Sequence, residues 1–229
     1  MIIAASTIDG DLTLTNGHGA TITDSGTVTV GGNLAVTTNA NNGEINLGTL
    51  AVTGTIALTT DGTGNATVVN ASGLNLAAST VGGTLSATAT TGDITDSGTL
   101  TITGAATFIT GATGSNIVLD SSGNAFANAV TMQADAGDEA FGNITFVDSA
   151  AIDFATSAGS NGDLYINAST DGAVGGNLSV TATTGNITDT VALAVTGTTT
   201  LVTSADNATI ALGTTTNAFT GALTITTND

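Results

Sequence analysis

The sequence predicts an all-β chain, a right-handed parallel β-helix (β-solenoid) of roughly ten coils, and three observations lead there. Long internal repeats run through nearly the whole length, apolar residues alternate strictly over short runs, and Gly and Asn punctuate those runs in a chain that has no Pro. Residues 1–229 therefore read as one solenoid region, with large repeats at about 9–81, 82–174 and, in part, 175–229.

The repeats come first. The stretch beginning VGGTLSATATTGDITD at Val81 returns as VGGNLSVTATTGNITD at Val174, and the two copies align without gaps over 56 positions with 26 identities. A third copy, beginning ITDSGTVTV at Ile22, matches ITDSGTLTI at Ile94. The offsets are 93 and 72 residues, and their difference of 21 is the length expected of one structural turn that is inserted or dropped whole. DGDLTLT from Asp9 and GGNLAVT from Gly31 repeat the same pattern at turn spacing.

The strands follow. Runs such as LTL, VTV, LAV, INL, LNL, LTI and IVL alternate with period two, the mark of strands buried on one face. Six aligned columns stay apolar in all three copies: Ile22, Ile94, Ile187; Val28, Leu100, Leu193; Val30, Ile102, Val195; Val36, Phe108, Leu201; Ile45, Ile117, Ile210; and Leu47, Leu119, Leu212. These are expected to be inward ladders, and the Thr, Ser, Ala and Asn between them to face water. Gly and Asn mark the corners, where the chain needs unusual backbone angles.

A turn of roughly 20 to 24 residues with two or three short strands is too small for a propeller blade and fits one coil of a β-helix. At about 4.8 Å per coil the rod is on the order of 50 Å long. The first and last coils carry no charged, Pro-bearing or helical cap, so end-to-end self-association through their β-edges is expected, or continuation of the chain in both directions.

Composition then removes function classes. The chain contains no Lys or Arg against 18 Asp and Glu, giving a formal net charge of −18. With no basic side chain to neutralise phosphates, nucleic acid is excluded as a partner, and so is an anionic membrane surface. The apolar run at the N-terminus ends by Ala5 without a basic flank, so neither a signal peptide nor membrane insertion is expected. Cys is absent, which leaves disulfide chemistry out. Trypsin has no site here even in an unfolded chain.

The blocks GGNLSVTATTGNITD, ITDSGTLTITGAATF, IALGTTTNAFTGALTI and IVLDSSGNAFANAVTM resemble the degenerate repeats of filamentous-haemagglutinin-like adhesins and related giant repeat proteins of bacterial surfaces. The resemblance covers most of the chain. It implies a right-handed parallel β-helix, outer-membrane secretion and an extracellular place on the cell surface, with a role in adhesion or biofilm. The family's N-terminal secretion domain is not recognisable here, and no functional residue carries over.

Candidate chemistry is sparse. A glycosidase needs two facing carboxylates, for which Asp93 with Asp96 or Asp148 with Asp153 are nominees, but Asp93 becomes Asn186 in the matching copy, as a solvated turn residue would. His18 sits in a Gly-rich turn without a nucleophile pattern, so catalysis is not expected. Calcium is a possible ligand of so acidic a chain, the nominees being Asp135–Glu139 and Gly159–Asn167, although neither recurs at nonapeptide spacing and no cofactor is expected. Outward threonines Thr99, Thr101, Thr103, Thr224 and Thr226 raise an ice-binding face, but Thr99 and Thr101 align with Ala192 and Ala194. The Asn-x-Ser/Thr triplets, Asn70 and Asn143 among them, follow from composition. Phe108, Phe126, Phe141, Phe146, Phe154 and Phe219 are expected in the core. The expectation is thus a non-enzymatic structural solenoid of a secreted fibre or adhesin, with a module binding ice, glycan or calcium as the alternative.

Overall fold

The computed structural model describes residues 1–134, 142–155, 157, 159–166, 173–214 and 216–228. Among them are twenty-nine short strands and no helix, hence none long and apolar enough to cross a membrane. Every strand pair is parallel, and the strands stack as a β-solenoid of about ten turns. Two sheets of thirteen strands and one of three form its sides.

Alternation does what the sequence requires of it. In Leu34–Thr38, Ala66–Asn70, Leu85–Ala89, Ala106–Thr110 and Leu178–Ala182 the first, third and fifth residues are buried and the second and fourth are partly exposed. Each inward residue rests on its counterpart one coil away, as in Ala66, Leu85 and Ala106, which stack in register. The core is a column of such layers, and each coil hydrogen-bonds only to the coils above and below. Stability is then a sum of neighbour terms and not the property of one centre.

Of the six apolar columns, all members are buried except Ile210 and Leu212, which are partly buried in the upper coils. They are not six ladders, however. Ile22 lies in the first sheet, in the column that runs through Ile45, Ala66, Leu85 and Ala106. Its homologue Ile94 lies in the second sheet between Leu74 and Ile117, and the third copy, Ile187, is back in the first sheet between Ile152 and Ile210. A large repeat spans three turns and one further side, so homologous residues move to another side of the rod with each copy.

The 21-residue difference between the offsets is accordingly not one whole turn. From Ile22 the chain passes Ile45, Ala66 and Leu85 before Ile94; from Ile94 it passes Ile117, Ile144 and Leu178 before Ile187. Both routes are three turns. The extra residues lie within the turns that end at Ile144 and Leu178. The latter carries four strands where its neighbours carry three, giving two to the first sheet, Ile152–Phe154 and Asp163–Ile166, which lie side by side there.

The use of the sides changes along the rod. In the early coils each turn gives two strands to the first sheet, Ile22–Asp24 and Val28–Val30, and one to the second. The middle coils reverse this, with Ile94–Asp96 and Leu100–Ile102 both in the second sheet. In the upper coils Leu178–Ala182, Ile187–Asp189 and Ala194–Val195 each belong to a different sheet.

Candidate functional site

The surface chemistry begins at the corners. Where one strand follows the last by a sharp corner, backbone N–H groups lose their ladder partner, and a buried or half-buried donor without an acceptor is costly. This chain supplies the acceptor from the residue just before the first inward side chain of a strand. Asp93 Oδ1 accepts the Asn116 N–H at 2.7 Å and its amide at 3.2 Å; Asn116 Oδ1 accepts the Asn143 N–H and amide, each at 2.8 Å. Asn143 Oδ1 accepts the Asn177 N–H at 2.8 Å, and Asn177 Oδ1 accepts the Thr198 N–H and hydroxyl at 2.7 and 2.9 Å. A side-chain ladder thus climbs four successive coil steps along one corner, the stacked-amide device of parallel β arrays.

Shorter runs repeat it. Asp11 accepts from Asn33 and Asn33 from Thr55, Asn65 accepts from Thr84, and Asn186 from Thr209. Asp93 and Asn186 thus do the same work, because only an oxygen is required, and this explains why the carboxylate is replaced in the matching copy. The neighbouring corner needs glycine: a Cβ on Gly54 would fall 2.5 Å from the Gly32 carbonyl oxygen of the coil below. Gly142, Gly176 and Gly197, each just before a ladder residue, meet a carbonyl oxygen of the coil below in the same way, whereas Ser115 stands before Asn116.

A second acidic position clamps turns. In the three ITD copies Asp24 accepts the N–H groups of Gly48 and Thr49 and the Thr49 hydroxyl, Asp96 those of Asp120 and Ser121, and Asp189 those of Gly213 and Thr214. Asp96 also receives the amide of Asn124, and Asp189 that of Asn217. Those asparagines belong to the recurrent NAF segments, and their oxygens accept the Leu100 and Leu193 N–H groups. Sequence reading missed this triad, although the co-recurrence of ITD and NAF was its visible sign.

The two carboxylates of each nominated pair are engaged separately. Asp93 serves the corner ladder and Asp96 the turn clamp. Asp148 points inward and is buried, whereas Asp153 is half-buried and accepts the hydroxyls of Thr188 and Thr190. Burial pushes the Asp148 carboxyl above its ordinary value, against the lowering effect of three backbone N–H groups. His18 is exposed, its N–H donating to the Asn16 side chain.

Asp135–Glu139, Phe141 and Asn167 lie outside the described residues. Of Gly159–Asn167, the part described closes on itself, since Asp163 accepts the Gly159 and Ser160 N–H groups. Among the described residues no group of three or more His, Cys, Asp or Glu is placed to hold a metal ion. The Thr columns are mixed: Thr101 stacks between Thr80 and Ala125, and Thr226 stacks on Val202, although Thr224 does continue Thr200. Phe108, Phe126, Phe146 and Phe154 are buried, and Phe126 packs edge-on against Phe108 (centroids 6.0 Å apart) and at a tilt against Phe146, 5.2 Å away. Phe219 is partly buried against the core on the third sheet, apart from its homologue Phe126.

The coil faces are the remaining apolar surface. Leu223 and Ile225 of the uppermost strand are 41% and 49% exposed although they stack on the inward Thr199 and Leu201, and at the lowest coil Ile3, Ile8, Leu12 and Leu14 are only partly buried, while Ile2, 73% exposed, stacks on the outward-facing Thr23.

A family described as repeats of unknown function (DUF5649) matches residues 1–47, 63–133 and 141–226. No curated protein and no solved structure matches the chain.

Proposed function

The chain belongs to the DUF5649 repeat family, and from that premise we propose that it is a non-enzymatic structural segment of a secreted bacterial surface fibre or adhesin, built for length and stiffness. The observation that carries this reading is where the polar chemistry goes. Eight carboxylates, Asp11, Asp24, Asp61, Asp93, Asp96, Asp148, Asp163 and Asp189, accept backbone N–H groups. Their charge is a by-product of closing corners, which explains an acidic chain with no base to pair with it. The resemblance of the repeats to filamentous-haemagglutinin-like adhesins supports the extracellular placement and the role in adhesion.

The same reading includes self-association. Rods of net charge −18 repel along their sides, so their more apolar coil faces are the favourable meeting point. Each face offers apolar residues and unpaired strand groups to a further coil of the same kind.

Electron microscopy of the purified 229-residue chain, with and without calcium, tests both parts. Stiff unbranched rods whose lengths fall on multiples of one unit are the expected result. Compact particles of no elongated shape would overturn the structural reading, and rods of a single length at all concentrations would overturn end-to-end stacking alone.

A further inference from the structure

We propose that Asp148 is a pH-dependent latch at the junction between the regular stack and the long turn that follows it, holding the junction closed when protonated and loosening it when ionised. The side chain ends the strand Ile144–Asp148 on its inward face and is 2% exposed. Its Oδ1 accepts the Phe126 N–H at 3.0 Å, and the carboxylate also takes the N–H groups of Ser149 and Ala150. The same few residues tie three coils together. Ser149 N–H donates to Asn124 O at 2.8 Å, Thr183 N–H donates to Asp148 O at 2.8 Å, and the Thr184 hydroxyl donates to Ser149 O.

At four other strand-end caps the task falls to neutral groups. Asn70 caps the Val52 N–H, Ser79 that of Leu58, Asn124 that of Leu100 and Asn217 that of Leu193. A charge is therefore not needed to make the bond. Its presence on the inward face at this corner, just before the turn that adds a strand, gives the junction a buried titratable group that the corners capped by Asn70, Ser79, Asn124 and Asn217 lack.

No positive group offsets it, because the chain has no Lys or Arg. The strands packed against it, Ile117–Leu119, Ala125–Phe126 and Leu178–Ala182, carry no titratable side chain. The nearest acid along the chain is Asp153, Asp120 directly follows the packed strand Ile117–Leu119, and Asp96 reaches Asn124 from the coil below. Every neighbouring charge thus acts in the same direction as burial.

The sign follows. A carboxyl whose folded value lies above its unfolded one binds the proton more tightly when folded, so its contribution is fullest below the ordinary Asp range and is lost as pH rises through the raised value. At neutral pH the buried carboxylate is relieved by local opening that admits water.

Native-state hydrogen exchange, expressed as protection factors, tests this on the wild-type chain and on Asp148→Asn, the residue that already does the task at Asn124. At pH 7 the variant should protect the Phe126 and Ser149 amides more strongly, by about tenfold for each unit by which the Asp148 pKa is raised. Below pH 3 the two chains should coincide, and the amides of Leu85–Ala89 should not distinguish them at any pH. Equal protection at pH 7, or a difference that persists unchanged in acid, would overturn the proposal. Should Asp148→Asn fail to fold, Asp148→Ser, the residue that performs the task at Ser79, is read against the same two outcomes.

Discussion

Two stretches of the rod run the same course with different amounts of chain. From Ile22 to Leu85 three turns take 23, 21 and 19 residues; from Ile94 to Leu178 three turns take 23, 27 and 34. The longest of these still returns into full register, with Ile144 to Asp148 opposite Leu178 to Ala182 pair by pair. Register is therefore set by the inward ladder and the corner ladder, both of which are local to the strand, and the length of the intervening turn is free. This is what loop closure leads one to expect, since doubling a loop costs only about 0.6 kcal/mol.

The comparison is broken most directly by inserting one glycine in each kind of place. Between Ala87 and Thr88 it would turn Thr88 inward and Ala89 outward and shift the strand against both neighbours, so loss of cooperative unfolding is the expected result. Between Ser160 and Asn161, in the long turn, the same residue should cost less than about 1 kcal/mol by urea denaturation. Equal costs would mean that turn length is as tightly set as register.

The next largest effect belongs to the rings that join the two regimes. Phe126 lies within the first of the long turns, between Ile117 and Ile144, and touches both Phe108 and Phe146, so Phe126→Ala leaves a cavity inside three successive coils. A loss of about 3–5 kcal/mol is expected from thermal or urea unfolding. Phe219, its homologue in sequence, is only partly covered, and Phe219→Ala should cost clearly less.

The contrast between these two phenylalanines shows what the sequence made legible and what it hid. Strand positions, the inward parity and the apolar residues of the core were all readable from period-two alternation, which is a property of consecutive residues. Which side of the rod a residue occupies was not readable, because it depends on the sum of all earlier turn lengths and those vary from 19 to 34 residues. Alignment of copies placed Ile22, Ile94 and Ile187 in one column, whereas stacking is decided by the adjacent coil. The polar devices were visible only in part. Asp148 follows Ile144 and Phe146 on the inward parity, so alternation alone marks it as a buried acid. The corner ladder had a signal too, an Asp or Asn just before each first inward residue at Leu12, Leu34, Ile94, Ile117, Ile144, Leu178 and Ile187.

That ladder gives a finer test, since it runs from the regular coils into the long-turn region. Asn143 both donates to Asn116 and accepts from Asn177, so Asn143→Ala breaks the ladder on both sides and should cost about 1–2 kcal/mol. Asn143→Asp keeps the oxygen that Asn177 needs, as Asp93 does for Asn116, and should lose less than half as much at pH 7. If the two variants are equally damaging, the amide of Asn143 and not its oxygen is the part that matters.

The smallest effect separates two homologous threonines. Thr110 and Thr203 stand at the same place in the repeat and both face inward, but Thr110 has a hydrogen-bond partner and the Thr203 hydroxyl is buried without one. Removing a buried hydroxyl that makes no bond relieves its desolvation, whereas removing one that is bonded strands its partner. Thr203→Val should therefore raise stability by about 1 kcal/mol and Thr110→Val lower it by a similar amount, read as opposite shifts of the urea midpoint at unchanged slope. Shifts of the same sign would mean that the turn of the repeat to a new side leaves the polar surroundings of an inward residue as they were. Shifts of opposite sign would mean that each coil sets the chemistry of its own interior, and that homology along the chain does not carry it over.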